Sequence, residues 1–328
     1  MLIKAADDKH PQLAALEELL TRRDVSADAR ERIEQEIWNI RTGEKTERSA
    51  AYEIEFHYAA NANVMTLHDL RIEVGGRVAQ IDHLIIDRLL ELWVCESKSF
   101  SGGVKVDEYG EWSAYWDRRP HGIPSPIEQN RKHVAVLEDV FAKGRVKVPK
   151  RLGFPLVLNF RPVVLVSNTG RVSRPAGRSA ARVAGLDTVI KSEQLYARIS
   201  KSFDPTDIGS ALATIATSMV SAATIERLAR DLAALHVPGT FDWAARFGLA
   251  PEVTVPPSAT KPDPVHVTPA IPLPASNSRA IGSGSGSNCE SCGKAISEAV
   301  VAFCRSNSRR FGGGIYCMTC QRTRSRPS

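Results

Sequence analysis

Gln80-Ile81-Asp82-His83-Leu84-Ile85-Ile86-Asp87 and, after a short gap, Leu92-Trp93-Val94-Cys95-Glu96-Ser97-Lys98 are two apolar, β-branched runs that begin or end in charge. Each reads as a short strand. Residues two apart on a strand leave it on the same face, so Glu96 and Lys98 project together. An acidic residue, Asp82, on the neighbouring strand then brings two carboxylates and an ammonium to one point. Two carboxylates in one place can hold a hard divalent cation such as Mg²⁺. A lysine beside them can orient a water or stabilise charge that develops on a phosphate. The same three groups also make a stable ion network with no chemistry.

Upstream of these runs, Val64 to Val74 has the strand period and ends at Gly75-Gly76, a two-residue turn. Val78 to Asp87 returns against it, and Leu89 to Lys98 follows. Gly102-Gly103 opens a second hairpin, Val104 to Trp116, which turns at Tyr109-Gly110. Residues 118–125 read as a Pro/Gly loop. Pro126 starts a helix through Phe141, because proline suits the first helical turn. Val163 to Ser167 is a buried strand, Val189-Ile190 another, and Ser192 to Ile199 a short helix.

Upstream, residues 10–60 are helical. Leu13, Leu16, Leu19 and Leu20 form one stripe, and Ser26 is the expected N-cap of a second helix with Ile33, Ile37 and Ile40 inward. Thr42-Gly43 is expected to interrupt that helix, and Glu47 to Tyr58 to continue it with Ala50, Ala51 and Ile54 facing in. Helix, three strands, hairpin, helix, strand is an α/β order with a mixed sheet. The expected organisation is an N-terminal helical hairpin (1–43), an α/β domain (44–200), a helical appendage (201–250), a flexible Pro/Ser/Gly linker (251–288) and a small cysteine-rich module with a basic tail (289–328).

In this order the elements resemble a known family. The segment from about Glu44 to Ile199 is similar to a NERD (nuclease-related) domain of the PD-(D/E)XK nuclease superfamily. The resemblance rests on Gln80-Ile81-Asp82-His83, Glu96-Ser97-Lys98, Trp112 in the hairpin, and Pro126-Ile127-Glu128-Gln129 opening the helix. It implies a restriction-endonuclease-like mixed sheet flanked by helices. It also implies that Asp82 and Glu96 are metal ligands for Mg²⁺ or Mn²⁺, that Lys98 is the catalytic lysine, and that Gln129 is the glutamine of the following helix. Glu47 matches the glutamate of the family's N-terminal Gly-Glu motif, but Thr46 stands where glycine is usual, so Glu44 after Gly43 competes for that role.

Other charged and aromatic residues read more plainly. His83 points away from Asp82 and is expected to be a hydrogen-bonded structural histidine; Asp87 is expected to cap a turn and Glu91 to be solvated. Trp112, Tyr115 and Trp116 can stack on bases, though packing is the commoner role on a hairpin. Cys95 reads as a small buried hydrophobe. His121 and His133 have no evident partner.

The chain has 328 residues with 43% hydrophobic and 24% charged, ordinary for a folded protein, and a formal charge of +6. The charge is uneven. Arg151 to Arg182 holds six arginines and no acid, and Cys289 to Ser328 holds seven Lys/Arg against two Glu, about +5. Such patches suit an anionic polymer, or simply a solvated surface. No uncharged apolar run reaches membrane-spanning length, so no membrane partner is expected. The start, Met1-Leu2-Ile3-Lys4, turns polar at once, which makes a cytoplasmic location the default expectation.

Five of the six cysteines fall between 289 and 320. Cys289-x-x-Cys292 and Cys317-x-x-Cys320, separated by 24 residues, place four thiols at two turns, a zinc-ribbon spacing suited to tetrahedral Zn²⁺. An iron–sulfur cluster is a rival occupant. Val300, Val301 and Phe303 are expected to form one small strand, and Phe311, Ile315 and Tyr316 another. Cys304 is left as a buried thiol or an alternate ligand. Arg305, Arg309, Arg310 and Arg322 fringe the module and are the candidate nucleic-acid contacts, with protein docking as the other use. Taken together, a Mg-dependent nuclease acting on DNA, in DNA processing or defence, is expected. Its alternative is a non-catalytic nuclease-fold module that binds nucleic acid or acts as an adaptor.

Overall fold

The computed structural model describes residues 1–116, 119–177, 182–202 and 219–249, and further on 287–296, 300–301, 304–305, 311, 313–317 and 320–321. The chain divides into two units, Met1–Thr254 and Val255–Ser328. The first opens with β1 (Leu2–Lys4), α1 (His10–Thr21) and α2 (Ala27–Tyr58), followed by β2 (Val64–Val74), β3 (Arg77–Asp87) and β4 (Glu91–Lys98). Next come β5 (Val104–Val106), β6 (Trp112–Trp116), β7 (Arg119–Ile123) and α3 (Pro126–Ala142). Two short strands, β8 (Lys150–Arg151) and β9 (Phe154–Pro155), precede β10 (Asn159–Val166), β11 (Val172–Ser173) and β12 (Val189–Lys191). Helices α4 (Leu195–Ser202), α5 (Ala222–Ala233) and α6 (Trp243–Arg246) complete the unit.

The main sheet has the order β1-β2-β3-β4-β10-β12. Strands β2, β3 and β4 run antiparallel, while β1 on β2, β10 on β4 and β12 on β10 are parallel, so the sheet is mixed. Gly75 and Gly76 make the β2–β3 turn with φ of 58° and 74°, a pair of positive angles that glycine adopts without strain. Alternation along β4 divides the core. Leu92 and Val94 pack with Val136, Leu137 and Val140 of α3, whereas Trp93 and Cys95 pack with Ala50 and Ile54 of α2. The sheet is therefore covered on both faces, as a mixed α/β fold requires. A smaller sheet, β11-β5-β6-β7, stands beside it.

Helix α2 differs from expectation. It runs unbroken for 32 residues through Thr42 and Gly43. Ser26 caps it, its side chain accepting from the Ala29 N–H at 3.2 Å. A glycine inside a helix costs about 1 kcal/mol relative to alanine. Here both ends are anchored: Ile33 and Ile37 pack with Leu16, Trp243 and Phe247, and Ala50, Ile54 and Tyr58 pack on the sheet. Burial at the two ends outweighs one poor helix former between them.

Three further expectations are corrected. The stretch read as a Pro/Gly loop contains β7, which pairs with β6 from Trp112↔Ile123 to Trp116↔Arg119. It is an edge strand, where Pro120 needs no outward N–H partner. The helices read as an appendage pack into the body: α5 buries Ile225, Leu228, Ala229 and Leu232 in the core that β2 and β3 share with α3. Glu91 is buried, and Arg161 Nη2 meets its carboxylate at 2.8 Å, because parallel pairing puts Asn159 level with Glu91. Residues 203–218 of the expected appendage, and the linker up to residue 286, lie outside the described residues. Among the described residues no helix is long and apolar enough to cross a membrane.

In the second unit β13 (Ser287–Asn288) and β14 (Ala295–Ile296) form a small hairpin around the first cysteine pair. Val300 and Val301 are helical instead of extended, and Cys304 is helical too. Val301 and Cys304, three residues apart, are both buried, which is helical and not strand spacing. Phe311 is helical as well, Ile315 and Tyr316 lie in irregular backbone, and Phe303 is outside the described residues.

Candidate functional site

The site lies in a fork between two strands. Strand β3 pairs with β4 from Ile86↔Leu92 to His83↔Cys95 and then leaves it, while β4 stays paired with β10 out to Lys98↔Val166. Asp82 stands where they part, and its Oδ2 accepts the Ser97 N–H at 2.6 Å. On the other side, β2 and β3 pair at His68↔His83 and Leu70↔Ile81, with Asp69 and Asp82 facing each other between. Asp69 has φ of 52°, a left-handed angle that Asp tolerates better than most residues. Both strands turn over at this level. Met65 and Leu67, then Leu70 and Ile72, share one core; so do Ala79 and Ile81, then Leu84 and Ile86. Lys9 Nζ, at 2.5 Å, and Gln80 Nε2, at 2.8 Å, hold the Asp69 carboxylate.

Glu96 is 2% exposed at the floor of the fork. Lys98 Nζ lies 2.6 Å from its Oε1. His133 Nδ1 approaches Oε2 to 3.3 Å in an orientation short of a hydrogen bond, leaving Oε2 buried with none among the described residues. Gln129 and His133, one turn apart on α3, face the same cleft of about 500 Å³ as Asp82, Glu96 and Lys98. Helix α3 is capped by Ser125 and is set against the strands by Asn130. The Asn130 Nδ2 donates to the carbonyls of Val94 at 2.9 Å and Val163 at 3.0 Å. From α2, Glu47 completes the cleft lining. Glu44 instead pairs with Arg48 and is not part of that lining, so of the two glutamates Glu47 is the one that faces the cleft.

The charges are mutually strained. Burial pushes the Asp82 carboxyl well above its usual range, and the neighbouring Glu96 and Glu47 add to this. Glu47 is raised too, by burial first and then by Asp69 and Glu96 against the pull of Lys9 and Lys98. Burial also works against Glu96, but His133 and Lys98 outweigh it and hold its carboxyl below the ordinary value. Crowded carboxylates that repel each other, together with a buried Glu96 oxygen that accepts no hydrogen bond among the described residues, make a set of hard donors that fits a divalent cation.

Sequence reasoning placed Asp82, Glu96, Lys98, Gln129 and Glu47, and the fold brings all five to one cleft. It missed His133 and Asn130. The signal for His133 was its position four residues after Gln129, on one helix face. His83 is a structural histidine: burial holds its imidazole well below the usual value, with Ser97 Oγ at 3.0 Å and His68 Nδ1 at 2.9 Å. Asp87 Oδ1 caps the β3–β4 turn, accepting from the Leu89 and Glu91 N–H groups. Cys95 and Trp112 are buried, and His121 lies against Trp116, ring centres 4.9 Å apart.

In the second unit the sulfurs of Cys289, Cys292, Cys317 and Cys320 lie within 4.8 Å of one another. The Cys292 and Cys317 sulfurs are 3.6 Å apart. Sulfurs around a tetrahedral Zn²⁺ at about 2.3 Å stand about 3.8 Å apart. The Cys317 N–H, donating to Cys289 Sγ at 3.2 Å, is the main cause that holds the Cys289 thiol down to about 6. The cluster can form a zinc-binding module. Cys304 is outside it, a buried thiol whose sulfur accepts from the Tyr316 N–H at 3.4 Å and from Gln321 Nε2 at 3.2 Å. Arg305 is exposed; Arg309, Arg310 and Arg322 lie outside the described residues.

Residues 42–167 match the family model described as NERD, nuclease-related domain. No curated protein and no solved structure matches the chain. The matched span, a nuclease-related domain at residues 42–167, contains Glu47, the Asp82 fork, Glu96, Lys98, Gln129 and His133, which all line the cleft.

Proposed function

We propose that this cleft hydrolyses phosphodiester bonds of nucleic acid, with DNA as the substrate and Mg²⁺ or Mn²⁺ as the metal. The observation that carries the proposal is the convergence of Asp82, Glu96 and Lys98 at one strand fork inside a nuclease-related domain. Asp82 and Glu96 would hold the cation. When bound, it would neutralise the phosphate and lower the pKa of a water. Lys98, whose ammonium lies 2.6 Å from Glu96 Oε1, would stabilise the charge that develops on the phosphate. Gln129 offers an amide that can orient the attacking water or a phosphate oxygen, and Glu47 can accept a proton from that water. His133 fixes the Glu96 carboxylate from the α3 side. The four-cysteine module would hold Zn²⁺ and, with its exposed Arg305, help retain the polyanion.

The test is cleavage of plasmid and linear DNA with and without Mg²⁺, by wild type, Asp82→Ala and Lys98→Ala. Metal-dependent cutting that both substitutions abolish supports the reading. No cutting, or cutting that neither variant alters, overturns it.

A further inference from the structure

Five tryptophans occur in the chain, and three of them, Trp93, Trp112 and Trp243, are buried at 3–6% exposure. The other two are not. Trp38 is 52% exposed and Trp116 is 45% exposed, and both line the cleft that contains Asp82, Glu96 and Lys98. The same two side chains, with Tyr115, also line an adjoining hollow of about 710 Å³. Each comes from a different element, Trp38 from α2 and Trp116 from the end of β6. Trp38 and Glu47 stand at opposite edges of the stripe by which α2 lines the cleft, nine residues and so about 13 Å apart along the helix axis.

The hollow has a built floor. A Cβ at Gly102 would lie 1.9 Å from the Tyr115 carbonyl oxygen, so the 101–103 loop packs backbone to backbone against β6. His121 leans on Trp116 at 4.9 Å, a tilted contact that steadies the indole while leaving it nearly half in water. Leaving two indoles half hydrated forgoes apolar burial, which the fold has achieved for the other three.

We infer that Trp38 and Trp116 form a stacking platform for unpaired nucleobases a few nucleotides from the scissile bond, so that the preferred substrate is single-stranded, or carries a single-stranded flap. A base inside a duplex has both faces occupied and presents only edges, whereas an exposed indole face recognises a base whose face is free. The strand that crosses the Asp82 fork must continue over the surfaces continuous with it, and the hollow between Trp38 and Trp116 is such a surface. This inference rests on the hydrolytic reading for its polarity along the strand, but stacking itself needs no turnover.

The experiment uses the full chain without added Mg²⁺ or Mn²⁺, titrated with unstructured oligonucleotides of about 12 nucleotides. One arm is DNA, one is RNA of matched sequence, and one is the blunt DNA duplex. Intrinsic fluorescence arises from all five tryptophans, so the quenching that is lost on substituting Trp38 or Trp116 reports stacking on the exposed indoles, and anisotropy of end-labelled strands reports affinity. The expected result is quenching by the DNA or RNA strand, the arms telling which is preferred, with little quenching by the duplex. Trp38→Ala and Trp116→Ala should each weaken single-strand affinity about 5- to 100-fold. Trp38→Phe, which keeps a smaller ring, should fall between, and guards against a variant that misfolds. Equal quenching by duplex and single strand, or unchanged single-strand affinity in a folded protein that carries both Trp38→Ala and Trp116→Ala, overturns the inference. Cleavage that persists alongside that result leaves the hydrolytic reading standing, and stacking without cleavage under Mg²⁺ overturns only the hydrolytic reading.

Discussion

Asp82 Oδ2 takes the Ser97 N–H at 2.6 Å, where strand pairing between β3 and β4 has just ended. The carboxylate replaces a strand as the partner of that amide. The same side chain therefore satisfies the backbone at the fork and offers its other oxygen to the cleft. These two duties can be separated by substitution.

Asp82→Asn retains an acceptor for Ser97 but removes the charge. It should fold with near wild-type stability, lose divalent-cation affinity, and lower cleavage by at least about 100-fold. Asp82→Ala should also leave the Ser97 N–H without its partner and destabilise by about 1–3 kcal/mol. Urea unfolding beside Mn²⁺ titration checks both; equal stability of the two variants would refute the backbone role.

Cation affinity should depend on pH. Burial, Glu96 and Glu47 raise the Asp82 carboxyl well above its ordinary value, so the proton competes with the metal below that raised value. The sign follows: apparent affinity rises with pH and levels off once Asp82 is ionised. In the metal-free protein the same raised value makes a contribution that favours folding at acid pH and is lost as pH rises through it. Added Mg²⁺ should therefore stabilise the fold more at pH 8 than at pH 5, read as the shift in Tm.

His133 lines the cleft and its Nδ1 lies 3.3 Å from Glu96 Oε2, so it is expected to act by positioning that carboxylate. His133→Ala should reduce metal affinity or activity about 10- to 100-fold, the usual cost of losing a group that orients a ligand. A drop in Mn²⁺ affinity that parallels the drop in kcat/KM supports this. A loss confined to kcat, with Mn²⁺ affinity unchanged, argues that His133 acts on substrate directly.

Much of this site was legible because strand periodicity and spacing are local. Glu96-Ser97-Lys98 fixes which side chains share a face, and the Gly75-Gly76 turn brings β2 back beside β3. What escaped was set by tertiary geometry. The continuity of α2 through Gly43 depends on packing at Ile33 and Ile54, far from the glycine itself. The burial of Glu91 depends on where β10 comes to lie in parallel register. The phase reversal at Asp69 has no pattern in composition, since Asp is common in turns and its left-handed angle here lies inside a strand. The partner of His133 appeared only when α3 was laid across β4 by Asn130.

The cysteine cluster predicts a clean division among thiols. Purified protein should hold a single zinc ion, lost in Cys289→Ser and Cys317→Ser and retained in Cys304→Ser, because Cys304 is committed to the Tyr316 N–H and Gln321. So small a module has too little core to fold alone, so chelation should unfold it. Metal analysis with amide exchange over residues 287–321 checks this. Loss of zinc in Cys304→Ser would mean that the fifth thiol ligates.

Asp87 is the buried carboxyl whose titration is easiest to isolate. It is 2% exposed, and burial raises its value from 3.8 to about 6 despite the two N–H groups it accepts. A raised folded value gives a contribution fully present below the unfolded value, near pH 4, and lost as pH climbs through about 6. Two units correspond to about 3 kcal/mol. Asp87→Asn keeps the acceptor that caps the turn and cannot ionise. Wild type should lose stability relative to this variant between pH 4 and pH 7, so that the variant is the more stable of the two at pH 8. Urea midpoints across that range decide the matter: parallel curves for the two proteins would show that Asp87 titrates at its ordinary value.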